Sequence, residues 1–559
     1  MSGFANSGIN SGANDSANNM ASEYSALDSS VLARLSDLSA PLLDKRAIFE
    51  ILQERTKGWE YKTLSSLPHP YALKSCEQAS KLIAKHINEG SEILVVGDYD
   101  VDGVISSVVM MKFFEMIGYK RVKYIIPNRF TDGYGLSVNI IKQNPSDVII
   151  TVDNGITAYE AGEYCAENGI DLIITDHHLP KEILPRASFI INPQQSDCSF
   201  PQAEICGAMV AWYFCAGVRI ALGADVRLTP LLELVMLATI ADMMPLTQIN
   251  KCVVLYGLKS IQDTKFLPVK KLKKGLRSPK PTATDVSFSI TPLLNAAGRM
   301  GEGRVASEFL LCDDEARSER LYEELVSLNV ARKSTAKSVQ EEAMQNARIY
   351  QNAIIAKNDD WHEGVLGIAA AQLADHFRRP AFIFSRTKNH GLKGSARSFG
   401  EVDLIGVLNR AKDILGEFGG HFKAAGVAID EARFDEFCAF LEELDDLPMR
   451  EEGGADSAVF GAINPKDIDE ELFLLLEQFE PYGQANPKPV FESILRIGWT
   501  QKIKQIHKKF GFMDTAVEGI YFFCDDDFGS GDIVRVKFGL QVDFFSKKPI
   551  MILQSMELA

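Results

Sequence analysis

The chain has 559 residues, 46% of them hydrophobic, which is enough for several domains with cores of their own. Its nine cysteines include no CxxC pair, and no run approaches the roughly 18 apolar residues of a membrane span, so we expect a cytoplasmic protein without disulfides, zinc ribbon or transmembrane helix. The formal net charge of −16 ordinarily argues against nucleic-acid binding, but such binding depends on where the charges lie.

The first predicted element is a polar tail, followed by an α/β domain. Residues 1–27 are rich in Ser, Asn, Ala and Gly and too polar to pack, so we expect them to be disordered. From about residue 91 the apolar runs "EILVVGD", "VKYIIPN", "DVIITVDNG", "DLIITDHH" and "FIINP" alternate with helix-length pieces. This alternation predicts a doubly wound parallel sheet, which binds ligands beyond the carboxyl ends of its strands. We assign residues 28–314 to this domain.

Further elements follow in the second half of the chain. The charged segment 315–350 has apolar residues at helical spacing, and its length predicts a helix that connects two lobes. Runs such as "AIIAKNDDW" and "PAFIFSR" predict a second, smaller α/β lobe over residues 351–447. After a Gly- and Asp-rich linker, residues 456–559 contain several predicted strands, consistent with a small β-barrel.

Two basic stretches stand out against the acidic total. Residues 265–280 contain many Lys and Arg without an acid, and residues 501–510 are similarly basic. Each is either a solvated loop or part of a path for a polyanion.

Three aspartates follow the first apolar run, in "ILVVGDYDVDGV" (residues 93–104). Alternate residues of an extended segment point to the same side, so Asp98, Asp100 and Asp102 can present three carboxylates on one patch. Like charges at such distances repel unless a cation lies between them. The stretch is therefore either a metal site or a Gly-ended loop whose aspartates cap the next helix.

Later runs also end in residues that can bind metal. They are Asp153 in "IITVDNG", Asp176, His177 and His178 in "LIITDHH", and Asp242 in the helical "LATIADMM". Because the carboxyl ends of parallel strands meet at one edge of a sheet, we expect these side chains to lie near the three aspartates. Carboxylates with an imidazole and no thiolate favour Mn²⁺ or Mg²⁺ over structural zinc.

The motifs "GDYDVDG", "VDNG", "TDHH" and "ADMMPL", in this order and at these intervals, resemble those of the DHH phosphoesterase superfamily. The segments "ITPLLNAAGRMGEG", "HEGVLGIAAAQLADHFRRPAFIFS", "GSARS" and "FGGHFKAAG" extend the resemblance to the RecJ family of single-stranded-DNA-specific exonucleases, over roughly residues 40–559. The resemblance implies a 5′-to-3′ exonuclease of DNA repair and recombination. It also implies a DHH lobe, a DHH-associated lobe and a C-terminal OB-fold domain.

The resemblance further implies a catalytic site with two divalent ions, Mn²⁺ or Mg²⁺. The implied ligands of one ion are Asp98, Asp100 and Asp153. Those of the other are Asp102, Asp153, His177 and Asp242, so Asp153 bridges the two. Paired cations suit the hydrolysis of an unreactive phosphodiester because they neutralise the charge that develops on the phosphate.

Other residues gain implied roles around the phosphate. His178 is expected to face it as a hydrogen-bond donor or general acid, oriented by Asp176, although a helix cap is the alternative. Arg299 has the fork geometry that clamps a phosphate, or else it forms a salt bridge between the lobes. The remaining implied substrate contacts are Asn295, Arg397, Ser398, Gly419, Gly420 and His421.

Two questions stay open after the resemblance: what the aromatic residues of the predicted barrel do, and which related activity is the alternative. Aromatic residues beside the second basic stretch either fill the barrel core or stack on bases: Phe510, Phe512, Tyr521 and Phe522. The alternative enzyme is a DHH phosphodiesterase of short oligonucleotides or cyclic dinucleotides; a pyrophosphatase and a non-catalytic scaffold are disfavoured by the C-terminal β segment and the full ligand set. The implied partners are single-stranded DNA, a single-strand-binding protein and a RecQ-type helicase, with the chain itself a monomer.

Overall fold

The computed structural model of the chain describes residue 31 and residues 34–276, 280–386, 391–445, 459–504, 506–524, 526–543 and 546–559. The predicted tail at residues 1–27 and the Gly- and Asp-rich linker lie outside the described residues. The described chain forms two compact units. The larger unit contains the described residues from Glu60 to the linker, together with Gly483–Ala485. The smaller unit contains the described residues before Glu60, those from 459 to 482 after the linker, and those from Asn486 to Ala559.

The strands of the described residues, numbered in chain order, form three sheets. They are β1 (Leu42–Leu43), β2 (Ile93–Val96), β3 (Val122–Ile125), β4 (Val148–Val152), β5 (Asp171–Thr175), β6 (Phe189–Ile191), β7 (Arg348–Ile349), β8 (Ile354–Lys357), β9 (Ala381–Arg386), β10 (Gly391–Arg397), β11 (Glu417–His421), β12 (Ala424–Asp430), β13 (Gly461–Ile463), β14 (Phe491–Ile503), β15 (His507–Phe512), β16 (Gly519–Phe522), β17 (Ile533–Val542) and β18 (Pro549–Leu558).

The α-helices of the described residues are likewise numbered in chain order. They are α1 (Lys45–Arg55), α2 (Cys76–Glu89), α3 (Val101–Met116), α4 (Val138–Gln143), α5 (Tyr159–Glu167), α6 (Gly207–Leu222), α7 (Leu232–Ala241), α8 (Gln248–Ser260), α9 (Leu267–Lys274), α10 (Ala283–Asp285), α11 (Thr291–Arg299), α12 (Gly303–Leu311), α13 (Glu315–Asn346), α14 (Leu366–Phe377), α15 (Leu404–Arg410), α16 (Phe434–Glu442) and α17 (Glu470–Glu477). A π-helical turn, Val286–Ile290, joins α10 to α11. None of these helices is both long and apolar enough to cross a bilayer.

The first sheet has the strand order β3-β2-β4-β5-β6, and every neighbouring pair is parallel. This confirms the doubly wound sheet predicted from the alternating runs. Strands β2 and β4 are buried along their whole length, which explains why every position except Thr151 is apolar, rather than alternate positions only. The register pairs Val96 with Thr151 and Val152 with Thr175, so the chain leaves three neighbouring strands at one edge of the sheet.

The second lobe of the larger unit contains a six-stranded sheet of order β11-β12-β10-β9-β8-β7, in which only β8 and β9 pair in parallel. The long helix α13 is attached to both lobes. Near its start, Glu315 accepts an ion pair of 2.6 Å from Lys271 on α9, and near its end Glu342 accepts a hydrogen bond of 2.9 Å from the indole of Trp361. The expected connection of two α/β lobes by a long helix is confirmed.

Lys271 also changes the interpretation of the basic stretch at 265–280. The side chain is 2% exposed and pairs with Glu315 and Glu319 on α13. Part of this stretch is therefore a structural joint between helices, and not an open path for a polyanion. Residues 277–279 of the stretch lie outside the described residues.

The smaller unit is the predicted barrel. Strands β14, β15, β16, β18 and β17 pair in that order, and β17 pairs again with β14, which closes the ring. Five strands in such a ring are the architecture of an OB-fold. Phe510 and Phe512 are buried in its core, Tyr521 is half-buried and Phe522 is 45% exposed, so core packing explains the first two aromatics.

The N-terminal segment differs from the expected boundary at residue 28. Strand β1 pairs in parallel with β13, and Lys45 forms ion pairs of 2.6 Å with Asp469 and with Glu471. On α1, Ile48 and Leu52 are fully buried in the core of the barrel unit. Residues 34–59 thus belong to the smaller unit, and the α/β lobe starts after them. A separation of more than 400 residues hides this pairing from local sequence patterns.

Candidate metal centre and phosphate groove

Acidic side chains lie where three parallel strands end. Asp98 follows β2, Asp153 follows β4 directly and Asp176 follows β5 directly. The first motif also serves its helix, since Asp100 is the N-cap of α3 and accepts a hydrogen bond of 3.0 Å from the N–H of Gly103. The capping and metal-site interpretations of "GDYDVDG" are thus compatible. Gly103 must lack a side chain, because a Cβ there would lie 2.5 Å from the backbone nitrogen and the Cβ of Asp98.

The carboxylates and histidines form three overlapping sets whose ligand atoms lie within 4.8 Å of one another. The sets are Asp98, Asp100 and Asp153; Asp102, His177 and Asp242; and Asp153, His177 and His178. His177 Nε2 lies 3.0 Å from Asp153 Oδ1 and 3.6 Å from an oxygen of each of the other two carboxylates around it. All six predicted ligands therefore come together, and Asp153 belongs to two of the three sets and lies 3.0 Å from His177, which belongs to the remaining one.

The electrostatics of this cluster fit a divalent cation. One carboxylate oxygen in each of Asp98, Asp153 and Asp242 is buried and receives no hydrogen bond from any described residue. Burial, reinforced by the neighbouring carboxylates, raises the pKa of Asp98 and Asp153 well above the usual range and that of Asp242 to about 9. Burial also lowers the pKa of His177, which keeps its imidazole neutral and able to bind metal. Unsatisfied hard oxygen ligands of this kind suit Mn²⁺ or Mg²⁺.

Asp102, besides being a predicted metal ligand, caps a helix. Its two oxygens accept hydrogen bonds from the backbone N–H groups of Gly207, at 2.6 Å, and Ala208, at 2.8 Å, where α6 begins. Oδ1 also accepts a hydrogen bond of 3.5 Å from the hydroxyl of Ser106, whereas Oδ2, which lies 3.6 Å from His177 Nε2, retains a further lone pair. The carboxylate can therefore cap α6 and bind a cation at the same time. Gly207 also lets the start of α6 lie against Asp153, since a Cβ on this glycine would lie 2.6 Å from that side chain.

Asp153 is held in a strained backbone conformation, with φ of +62°. The next residue, Asn154, was not predicted and is fully buried. Its amide donates to the carbonyl of Val96, at 3.0 Å, and to that of Val152, at 2.9 Å, while its oxygen accepts the N–H of Leu136. Asn154 thus ties the ends of β2 and β4 together and fixes Asp153 between them.

Asp176 fixes the orientation of His178. One oxygen of Asp176 accepts the N–H groups of His177 and His178 and, at 2.8 Å, the imidazole Nδ1 of His178; the other accepts the N–H of Ile156. Burial opposes the imidazolium, but the hydrogen bond and charge of Asp176 outweigh it and raise the pKa of His178 to about 9. Because Nδ1 is bound to a carboxylate, Nε2 is left as the donor that can meet a ligand.

Two further residues that sequence reasoning missed lie in "NRFTDGYG" after β3. The guanidinium of Arg129 lies 5.1 Å from the ring centre of Tyr99, which stands between Asp98 and Asp100. The hydroxyl of Tyr134 donates to the carbonyl of Asp153 at 3.3 Å, and its ring meets that of His178 edge to face. The position of this loop after a strand of the same sheet is the signal that could have identified both.

A groove of about 470 Å³ lies in the larger unit and is lined from both lobes. Arg129 and Arg299 line it from the first lobe, and Arg397 and Lys393 from the second. Burial and the neighbouring arginines lower the pKa of Arg299 to about 10. Arg299 donates to the carbonyl of Gly364 at 3.4 Å and makes no ion pair with the described residues, so the alternative of an interlobe salt bridge is not observed.

The other predicted substrate contacts divide into two groups. Gly419 and Gly420 line the groove, and Asn295 lies one helical turn before Arg299 on α11. Ser398 instead donates to the carbonyl of Val402 at 2.6 Å, and His421 is exposed outside the groove lining. Ser395 takes the position expected for Ser398, because alternate residues of β10 face the same side and Ser395 therefore lies on the groove side with Arg397. Ser395 accepts a hydrogen bond of 2.9 Å from Arg397.

Comparison with known proteins gives matches along most of the chain. Residues 92–239 match the DHH family, N-terminal domain, residues 350–444 match the DHHA1 domain, and residues 461–555 match the RecJ OB domain. The chain is 33% identical over 469 residues to the single-stranded-DNA-specific exonuclease RecJ of Escherichia coli (strain K12), covering 78% of this chain and 81% of the relative. The RecJ of Haemophilus influenzae is also 33% identical, over 82% of this chain and 84% of the relative.

A solved structure agrees with these matches. The crystal structure of RecJ from Thermus thermophilus in complex with Mn²⁺ superposes with a TM-score of 0.79 and 26% identity, over 95% of this chain and 77% of that one. Domain matches, relatives and fold agree in order and extent. This chain belongs to the RecJ family of single-stranded-DNA-specific exonucleases.

Proposed function

We propose that this chain is a metal-dependent exonuclease that hydrolyses the phosphodiester bonds of single-stranded DNA. The observation that carries the proposal is the cluster of buried carboxylates with unsatisfied oxygens, next to a groove lined by arginines, in a chain of the RecJ family. The carboxylates favour cations, and the arginines favour phosphates. Arg129 links the two regions, since it lines the groove and covers Tyr99 beside Asp98 and Asp100.

Mn²⁺ or Mg²⁺ is the proposed cofactor, as in solved RecJ structures from Thermus thermophilus. We assign one ion to Asp98, Asp100 and Asp153 and a second to Asp102, Asp153, His177 and Asp242. When bound, these ions supply an activated water and a counter-charge for the phosphate. Tyr134, through the carbonyl of Asp153, and Asn154, through that of Val152, keep the backbone around Asp153 in place, so the shared ligand does not have to be ordered when the cations bind.

The remaining polar groups bind and orient the substrate in this proposal. His178 holds a proton on Nε2 and donates it in a hydrogen bond to the scissile phosphate, while Asp176 fixes the ring. Arg299 clamps the same phosphate with support from Asn295. Arg129, Arg397 and Ser395 receive a neighbouring phosphate, which the backbone of Gly419 and Gly420 can approach closely.

The proposal extends to polarity and partners. We assign a 5′-to-3′ direction and a role in repair and recombination on the strength of family membership, with a single-strand-binding protein and a RecQ-type helicase as partners of a monomeric enzyme. In the proposed division of labour, residues 60–314 contain the metal centre, α13 connects the lobes, residues 351–445 bind substrate and the barrel unit extends the single-strand track.

End-labelled single strands test the function and its direction. The purified chain is incubated with Mn²⁺ and single-stranded DNA that is labelled at either its 5′ or its 3′ end, with a blunt duplex of the same sequence as the comparison. We expect early release of the 5′ label, late release of the 3′ label and little attack on the duplex. Equal rates on the duplex would refute single-strand specificity, and early release of the 3′ label would reverse the polarity.

A further inference from the structure

Met243 combines a strained backbone with an exposed apolar side chain beside the metal centre. It follows Asp242, its φ is +54°, and it is 70% exposed. At the end of α7 its N–H donates to the carbonyl of Ile240 at 3.2 Å, and the N–H of Met244 donates to that of Thr239 at 3.1 Å. This pattern is a Schellman motif, in which the residue at the position of Met243 is usually glycine.

A second exposed apolar residue also comes directly after a residue of the metal-binding cluster. Leu179 follows His178 and is 71% exposed. Asp242 and His177 approach to 3.6 Å, so the chain leaves the cluster at two neighbouring points and places a large apolar side chain in solvent at each. Neither side chain is needed for the core or for cation binding, and the conformation of Met243 is one that disfavours any side chain.

A single strand of DNA offers an apolar partner at this place. Its bases are not paired, and their faces are apolar and similar in all four nucleotides. When a phosphate lies at the cation ligands, the base of an adjacent nucleotide is only one sugar away. A methionine side chain is flexible and polarisable and can adapt to bases of different size.

We propose that Met243, with Leu179, contacts the nucleobase next to the scissile phosphate, so that the enzyme distinguishes a nucleotide that has its base from an abasic one. This inference rests on the proposed exonuclease function and identifies part of its substrate recognition. It also accounts for a non-glycine residue at a position that favours glycine: the side chain is retained for binding and not for stability.

The decisive variant is Met243→Gly, because glycine suits the observed backbone and removes the side chain. The matched control is Arg378→Gly: Arg378 also ends a helix, α14, with φ of +54°, but it does not line the groove. We expect both variants to keep or raise the melting temperature, by about 2 °C. Met243→Leu restores an apolar side chain and serves as the rescue.

The measurement is kcat/KM on a single strand of normal nucleotides and on one with abasic tetrahydrofuran units at its terminal positions. We expect the unaltered chain, Arg378→Gly and Met243→Leu to prefer the normal strand about tenfold, and Met243→Gly to lose that preference because its rate falls on the normal strand alone. A retained preference in Met243→Gly, or an equal fall on both strands, would overturn the base contact. An unaltered chain that cleaves neither strand would contradict the exonuclease function instead.

Discussion

His177 Nε2 lies 3.0 Å from Oδ1 of Asp153, yet that oxygen receives no hydrogen bond from any described residue. The two atoms face each other as two ligands of one cation do, and the same carboxylate also approaches Asp98 and Asp100. A buried carboxylate between two anionic groups is unfavourable without a cation. The centre is thus arranged for a charge that the protein itself does not supply.

The first prediction concerns this shared carboxylate. Asp153→Asn keeps the size of the side chain but removes the charge that both cation sites need, so we expect kcat on single-stranded DNA to fall more than about 100-fold. Single-strand affinity should be nearly unchanged, because the arginines of the groove remain. Asp225→Asn, at an exposed position of the same lobe, is the control. A turnover of Asp153→Asn close to that of the control would contradict a shared ligand.

The second prediction concerns the metal-free protein and pH. Burial and mutual repulsion raise the pKa of Asp98 and Asp153 and bring that of Asp242 to about 9, whereas an aspartate in the unfolded chain has a pKa of about 4. Between these values the folded state binds more protons, so the free energy of unfolding falls as pH rises. We expect the melting temperature in chelator to fall from pH 5 to pH 9.

Cations should reverse this behaviour. Mn²⁺ binds the deprotonated ligands, so added Mn²⁺ should raise the melting temperature most at high pH. Thermal melts in matched buffers with chelator or with Mn²⁺ give the comparison, and Asp153→Asn should show a shallower pH dependence in chelator. A pH dependence that Mn²⁺ does not alter would mean that other groups cause it.

Sequence patterns predicted much of this centre because it depends on strand ends. Continuous apolar runs identify buried parallel strands, and the polar residues after them must meet at one edge, which brought Asp98, Asp153 and His177 together without a structure. Arg129 and Tyr134 were not predicted, because the residues of their loop show no helical or strand periodicity. Sequence patterns also did not predict that residues 34–59 belong to the barrel unit, because a two-residue strand does not indicate which sheet it joins.

The third prediction concerns the turn that holds Arg299. A Cβ on Gly364 would collide with the carbonyl oxygen of Arg299, and the same glycine accepts the guanidinium hydrogen bond. Gly364→Ala should therefore displace the turn and lower kcat/KM on single-stranded DNA at least about tenfold while Mn²⁺ affinity stays the same. Gly416→Ala is the control, since its added Cβ meets nothing closer than 3.5 Å. Equal activity in the two variants would show that the turn does not position Arg299.

The fourth prediction separates cations that bind DNA from those that hold the fold. Arg397 lines the groove, whereas Lys271 is buried between Glu315 and Glu319. Arg397→Ala should reduce the salt dependence of single-strand binding by about 0.7 in the slope of log K against log salt concentration, the value for one lost phosphate contact. Lys271→Met should leave the slope unchanged and lower the melting temperature. A changed salt-dependence slope in Lys271→Met would show that the stretch 265–280 contacts DNA after all.

The last prediction concerns the barrel and the N-terminal segment that belongs to it. If only residues from 459 onward are removed, Ile48 and Leu52 of α1 lose the apolar core in which they are fully buried, so that truncated protein should aggregate. A chain of residues 60–445 removes both parts and should stay monomeric, cleave very short single strands at a similar rate and bind long ones at least about tenfold more weakly. Size-exclusion chromatography and fluorescence anisotropy with short and long oligonucleotides give the comparison. If neither truncated protein aggregates, burial of Ile48 and Leu52 in the barrel unit is not what keeps the N-terminal segment soluble. If the chain of residues 60–445 loses activity equally on short and long strands, the barrel supports the catalytic lobes themselves.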